Sequence, residues 1–306
     1  MRTLAVALLF AVGCGPTTGR SGGSAGGSNE HDLGGGFDLS QLGGAGGGGA
    51  GGGGGGDAGA QCTGTSSGCT YTVYAHSNTE LYSLDLANKT LVDVGSFDVS
   101  DTMTDLAVAP DDTIYVVSKS ALYTASAMTG KATLVGSIKL CGTDNVALSM
   151  TPDGKLYLGD GAGAFCEVDI TQSPPVVNSL GTLGSGLALS GDLVGVDDGT
   201  LFGTAIDTSS SSVKTSTSAS NLLVTVNPAT GTVIKNIGAT SFPQLYGIAY
   251  AYGKVFGFTH DGTGRVITID PTTGVGTPYN TFTDPTSGKG ISFSGAGVNP
   301  KVNPIS

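Results

Sequence analysis

RVITIDPTTGV, residues 265 to 275, reads as a short alternating strand that runs into an Asp-Pro-Thr-Thr-Gly turn and out into a second strand. Apolar and polar residues alternating one by one follow the β period, and Asp, Pro and Gly at those places set a tight turn. The unit recurs along the chain as ELYSLDLANKT (80 to 90), ALYTASAMTGK (121 to 131), AFCEVDITQS (164 to 173) and LLVTVNPATGT (222 to 232). Aligning Asp85, Ser126, Asp169, Asn227 and Asp270 gives spacings of 41, 43, 58 and 43, a period with one insertion. A second signature precedes each copy: Thr72-Val73-Tyr74, Thr113-Ile114-Tyr115, Lys155-Leu156-Tyr157, Thr200-Leu201-Phe202 and Lys254-Val255-Phe256, mostly after Asp-Asp, Asp-Gly or Tyr-Gly. These are strands leaving tight turns.

Four short strands per repeat of about 40 to 45 residues is the layout of a β-propeller blade, in which each sheet buries its faces against its neighbours. The fold class is therefore all-β, a β-propeller, with five blades fitting the count. A six-bladed ring and an irregular β-sandwich are the alternatives. MTDLAVAP (103 to 110) and NVALSMTP (145 to 152) read as innermost strands. Blade four offers two segments for that role, GLALS (186 to 190) and LVGVDDG (193 to 199). The first blade begins at YTVYAHS without an inner strand, and Gly290 to Ser294 (GISFS) at the far end supplies it. A C-terminal strand that closes the first blade removes the free sheet edges. Residues 70 to 295 thus resemble bacterial YVTN-, NHL- and YncE-like propellers, with 265 to 275 the nearest match. That resemblance implies an architecture and leaves function open, since such folds host adhesion modules, scaffolds and hydrolases alike.

The other end of the chain speaks to location. Arg2 supplies a positive start, and Leu4 to Val12 (LAVALLFAV) is an apolar run too short to span a bilayer. The segment Ala11-Val12-Gly13-Cys14 resembles the lipobox of bacterial lipoproteins, with Ala11 where a leucine is usual. The resemblance implies cleavage before Cys14 and two or three acyl chains on it, enough for stable membrane attachment. It also implies an outer-membrane or cell-surface address, because Gly15 stands where an aspartate would signal inner-membrane retention. From Gly15 to Gln61 there are 22 glycines in 47 residues. A segment of that composition cannot bury enough apolar surface to offset its ordering entropy, so a disordered tether is expected, with a reach of roughly 40 Å. The chain divides into a signal peptide (1-13), lipidated Cys14 with its glycine-rich linker (14-61) and the propeller domain (62-306).

Within 62-306 there are 11 basic against 20 acidic residues. Nucleic acid is excluded as an expected partner, because phosphate binding needs clustered Lys and Arg. The even set Cys62, Cys69, Cys141 and Cys166 in an exported domain points to disulfides. Of three connectivities, Cys62 to Cys69 with Cys141 to Cys166 is preferred.

In a propeller, the loops joining second to third strands share a face with those joining one blade to the next. The first kind here are His76-Ser-Asn78, Lys119-Ser120, Asp160-Gly161, the Ser/Thr-rich stretch from Asp207 to Ser220, and His260-Asp261. The second kind add Asp98, Asp101, Asp144 and Asp284. His76, Asp160, His260 and Asp261 are the candidate ligand or metal face, because histidines and carboxylates over a channel can hold a divalent cation such as calcium or orient a water. His and Asp are equally ordinary turn residues. No GxSxG string stands between a strand and a helix as a nucleophile elbow requires, and no catalytic residue is assigned. The expected function is a monomeric, non-enzymatic surface module that binds a protein or a polysaccharide without a cofactor. A metal-assisted hydrolase or lactonase and a purely structural envelope protein are the competing readings.

Overall fold

The computed structural model describes residues 71–209 and 219–301, and among them there is no helix. Twenty strands form five four-stranded antiparallel sheets. The first blade holds β1 (Thr72–His76), β2 (Glu80–Asp85) and β3 (Thr90–Ser96). The second is β4 (Asp105–Val108), β5 (Ile114–Val117), β6 (Ala121–Ala125) and β7 (Ala132–Ser137). The third is β8 (Ala147–Met150), β9 (Leu156–Gly159), β10 (Ala164–Asp169) and β11 (Val176–Thr182). The fourth is β12 (Leu187–Gly195), β13 (Leu201–Asp207), β14 (Leu222–Val226) and β15 (Val233–Ala239). The fifth is β16 (Leu245–Ala251), β17 (Lys254–Thr259), β18 (Arg265–Ile269) and β19 (Gly276–Thr281). Finally β20 (Gly295–Gly297) pairs antiparallel with β1 and completes the first blade. The inner strands β4, β8, β12, β16 and β20 touch one another in turn, and β20 touches β4, so the ring is closed with five blades.

Two details differ from the sequence reading. The closing strand lies a few residues beyond GISFS: the register is Tyr74 to Gly297, Ala75 to Ala296 and His76 to Gly295. Residues 290 to 294 instead pass along the neighbouring loops, with Gly290 bridged to Thr283 and the Phe293 N–H on the Thr259 carbonyl. The physical reason is space at the axis, where β20 runs so close to β16 that a side chain on Gly247 would meet the Gly295 carbonyl carbon at 2.8 Å. Gly-Ala-Gly fits there and Ile-Ser-Phe does not. In blade four, both candidate segments belong to one nine-residue strand, β12, whose register breaks between Leu189 and Leu193. Ser190, Gly191 and Asp192 stand in that break, and the Thr204 hydroxyl accepts the Asp192 N–H at 3.1 Å and donates to the Leu245 carbonyl at 3.2 Å.

A further repeat holds the blades together. Each outermost strand carries an extra residue against its partner at the corresponding place, Val94, Val135, Leu180, Ile237 and Tyr279, and β15 carries a second, Ile234. Such a bulge re-aims a side chain. Here all five aim at the core between their blade and the next. In the first four blades a glycine follows, Gly95, Gly136, Gly181 and Gly238. A side chain at Gly95, where φ is 131°, would meet the Thr129 carbonyl of the next blade at 2.6 Å. In the fifth, Asn280 takes this place and the Tyr279 hydroxyl donates to the Leu86 carbonyl of blade one.

Cys141 and Cys166 are disulfide-bonded, joining the loop before β8 to the third strand of the same blade. Cys62 and Cys69 lie outside the described residues, as do the signal segment, Cys14 and the linker. Closing a loop across a sequence separation of 25 restricts the unfolded chain. Replacing both Cys141 and Cys166 by serine is expected to lower the unfolding free energy by about 3 kcal/mol. A loss below about 1 kcal/mol in denaturant titration would show that hydrogen bonds alone hold this loop.

Candidate functional site

All five blades contribute to a bowl of about 360 Å³ over the axis. It opens on the face carrying the strand-two to strand-three loops and the inter-blade loops, as the repeat pattern requires. Asn78, Thr102, Ser190 and Ser294 present hydroxyl or amide groups, and Asp144 presents the one carboxylate in the lining. Met103, Val146, Leu189 and Ile206 supply apolar wall, and Tyr246 and His260 complete the ring. The last two are stacked, with centroids 4.8 Å apart and planes 25° from parallel. The His260 ring is held in turn by its Nδ1, which donates to the Phe293 carbonyl at 2.9 Å.

The polar groups are partly committed. The Ser294 hydroxyl donates to Asn78 Oδ1 at 2.7 Å, and Asp144 Oδ1 accepts the Gly161 N–H at 3.1 Å. Asn78 Nδ2 and Asp144 Oδ2 have no partner among the described residues. Ser190 is buried and its hydroxyl is likewise unpartnered. A desolvated hydroxyl without a hydrogen bond is costly, and a ligand group or a water relieves that cost.

A polar layer lies one residue along from the bowl on three inner strands. Asp105 follows Thr104, Asp192 follows Gly191 and Gly295 follows Ser294. Asp105 and Asp192 are fully buried. Asp105 Oδ1 accepts the Leu106 N–H at 2.8 Å, and its Oδ2 accepts the Leu148 N–H at 2.5 Å from the adjacent inner strand. Asp192 accepts from Leu193 and, across to blade five, from Ile248, each at 2.5 Å. Burial and the neighbouring Asp192 charge push the Asp105 carboxyl well above the usual range. Asp192 is also raised by burial, although the Asp105 hydrogen bond opposes the rise. Two buried carboxyls this close to each other do not both ionise, so the pair keeps a proton between them.

His76 sits beside this pair, wholly buried. Its Nδ1 lies 2.6 Å from the Ser77 carbonyl, which can only accept, so the neutral ring carries its proton there and Nε2 is a bare lone pair. Nε2 has no partner among the described residues. A side chain at Gly295 would strike both Nε2 and Asp105 Oδ1, so the two face the same small gap. Burial lowers the His76 pKa to about 4, and a positive charge on His260 would lower it as well.

The residues expected on the ligand face thus separate. His76 and His260 do lie near each other, at the joint between blades one and five, with His76 beneath the surface and His260 in the bowl. Asp160 is buried in its turn: Oδ1 accepts the Ala162 and Ala164 N–H groups at 3.1 and 2.6 Å, and Oδ2 accepts the Thr143 N–H and hydroxyl at 2.8 and 3.2 Å. Asp261 Oδ1 accepts from Thr259 and Thr263, and its Oδ2 is 3.7 Å from Arg265. Both carboxylates build turns. Among the described residues no three His, Cys, Asp or Glu side chains converge in a way that could hold a metal ion. The sequence reading passed over Asp105 and Asp192, although each is an acid inside an apolar strand run (TDLAV, SGDLVG), which is the signal that finds a buried carboxyl. Phe242 is partly buried against the core shared by blades four, five and one.

No protein-family model matches the chain. No curated protein matches it either. Among solved structures, it is similar to a protein of unknown function from Bacteroides caccae, at 12% identity and a TM-score of 0.41, over 75% of this chain and 99% of that one.

Proposed function

We propose that this chain is a lipid-anchored bacterial surface protein whose propeller is a non-enzymatic binding module, with the axial bowl as its ligand site. The observation that carries the reading is the bowl itself. Every blade supplies part of its lining, it joins apolar wall to a few hydroxyl, amide and carboxylate groups, and a buried serine hydroxyl there lacks a partner. Concave, mixed lining of this kind is the usual character of a ligand pocket. The carboxylates that a metal-assisted hydrolase would need, Asp160 and Asp261, already accept the N–H and hydroxyl groups of their own turns. The lipobox-like Ala11 to Cys14 and the glycine-rich stretch support an anchor and a tether that hold the bowl clear of the membrane.

Two measurements test this. Cys14→Ser should move the protein from the membrane to the soluble exported fraction, and unchanged fractionation would refute the anchor. The full chain carrying Cys14→Ser should also cosediment with isolated cell envelopes of the producing bacterium. Adding Thr102→Trp, at an exposed position on the rim, is expected to weaken that retention at least tenfold with an unchanged melting temperature. Equal retention of the two would refute the bowl as the binding site.

A further inference from the structure

Resting on that reading of the bowl, we infer that its ligand is a neutral sugar residue of a glycan, held as a single compact ring over the propeller axis. A sugar ring offers hydroxyls that both donate and accept around its edge, and apolar C–H patches on its faces. The bowl is complementary in both respects. Asn78 Nδ2 is a donor, Asp144 Oδ2 an acceptor, and the Ser190 hydroxyl either, and none of the three has a partner among the described residues. Met103, Val146, Leu189 and Ile206 offer apolar surface for the C–H faces. Asp144 can accept from two adjacent hydroxyls, a pattern that an apolar ligand does not supply.

Charge and shape narrow the class further. Among the described residues no Lys or Arg lines the bowl and its one carboxyl group is that of Asp144, so a phosphate, sulfate or uronic acid would meet no counter-charge from them. At about 360 Å³ the space lies near the small end of the usual range for ligand pockets. A bowl walled by all five blades also suits a ring entering along the axis. An extended peptide would instead call for a groove or an open sheet edge.

The test uses the full chain with Cys14→Ser and four neutral sugars: glucose, galactose, mannose and N-acetylglucosamine. Glucuronic acid serves as the anionic counterpart of glucose. Saturation-transfer NMR and calorimetry are expected to show saturable binding of at least one neutral sugar. Asp144→Ala and Thr102→Trp should each weaken it at least tenfold without moving the melting temperature. Asn78→Ala, at another exposed lining position, guards against a fold defect and should weaken binding at least threefold. Glucuronic acid should bind at least tenfold more weakly than the neutral sugar that binds best. Saturable binding to none of the four, binding indifferent to the three substitutions, or preference for the acid would each overturn the assignment. If no sugar binds while envelope retention still depends on Thr102, the sugar assignment falls and the bowl stands as a site for another ligand. If neither is seen, both fall.

Discussion

Asp192→Ala is expected to cost the propeller about 3 to 5 kcal/mol, read as a lower denaturant midpoint at neutral pH with an unchanged slope. Asp192 accepts backbone N–H groups from its own strand and from Ile248 of blade five. Its side chain therefore ties two inner strands beside the point where the ring closes. Alanine would leave those donors buried with nothing to receive them, at about 1 to 3 kcal/mol for each unsatisfied group. Asp105→Asn makes the contrast: its oxygen still accepts one of the two N–H groups that Asp105 takes and its amide can donate to a carboxylate on Asp192, so one donor is left unsatisfied. That variant is expected to cost about 1 to 3 kcal/mol, less than Asp192→Ala. If Asp192→Ala unfolds within 1 kcal/mol of wild type, or if Asp105→Asn is the more damaging change, the shared-proton account of the axis is wrong.

The second large effect is one of pH. With its pKa lowered to about 4 in the folded protein against an ordinary value of 6.5, His76 binds its proton less readily folded than unfolded. Between those values the unfolded state takes up the proton and the folded state does not. Stability from this residue is therefore fully present above pH 6.5, is lost as pH falls towards 4, and changes no further below that. A difference of that size corresponds to roughly 3 kcal/mol. The groups around His76 shape the outcome. Ser77 accepts from Nδ1, Phe97 meets the ring edge-on at 5.8 Å, Asp105 faces Nε2 across the Gly295 gap, and His260 is the nearby titratable ring. The Asp105 and Asp192 pair contributes with the opposite sign. Its raised pKa values keep a proton in the folded state that the unfolded chain gives up as pH rises above about 3.8. The clean comparison is therefore with His76→Asn, whose amide nitrogen stands where Nδ1 donates and does not titrate. The wild type is expected to lose about 3 kcal/mol more than His76→Asn between pH 6.5 and 4. Parallel stability profiles for the two would show that His76 is not held neutral by burial.

The candidate site was legible in part. Asn78, Asp144 and His260 were placed on the correct face from loop position alone, and all three line the bowl. Asp160 and Asp261 were placed on the same face, but their roles were not legible. Whether a turn carboxylate points at a ligand or at its own backbone N–H groups depends on the turn conformation, and the letters Asp-Gly and His-Asp are common to both cases. In the turns Asp153-Gly154 and Asp198-Gly199 both glycines have φ at 84°, the left-handed backbone that glycine adopts without strain.

What the sequence determined by itself is local in origin: the strand segments, the five-fold count, the face carrying the long loops, and closure by the C-terminus. Alternation and turn chemistry act over a few residues, and five imperfect copies average out their faults. What only the tertiary structure decided is everything at the axis. Asp105 and Asp192 come from blades two and four, and His76 and Gly295 from the first blade, whose strands are drawn from both ends of the domain. Asp105, Asp192 and Gly295 are unremarked polar or small residues within their own strands, and His76 reads as a loop residue. The choice of Gly295 to Gly297 over GISFS as the closing strand, the break that turns Asp192 inward, and the proton shared with Asp105 follow from how closely five backbones approach one another. That distance is fixed by closing the ring, so it is a property of the whole circle of blades and is encoded in no single repeat.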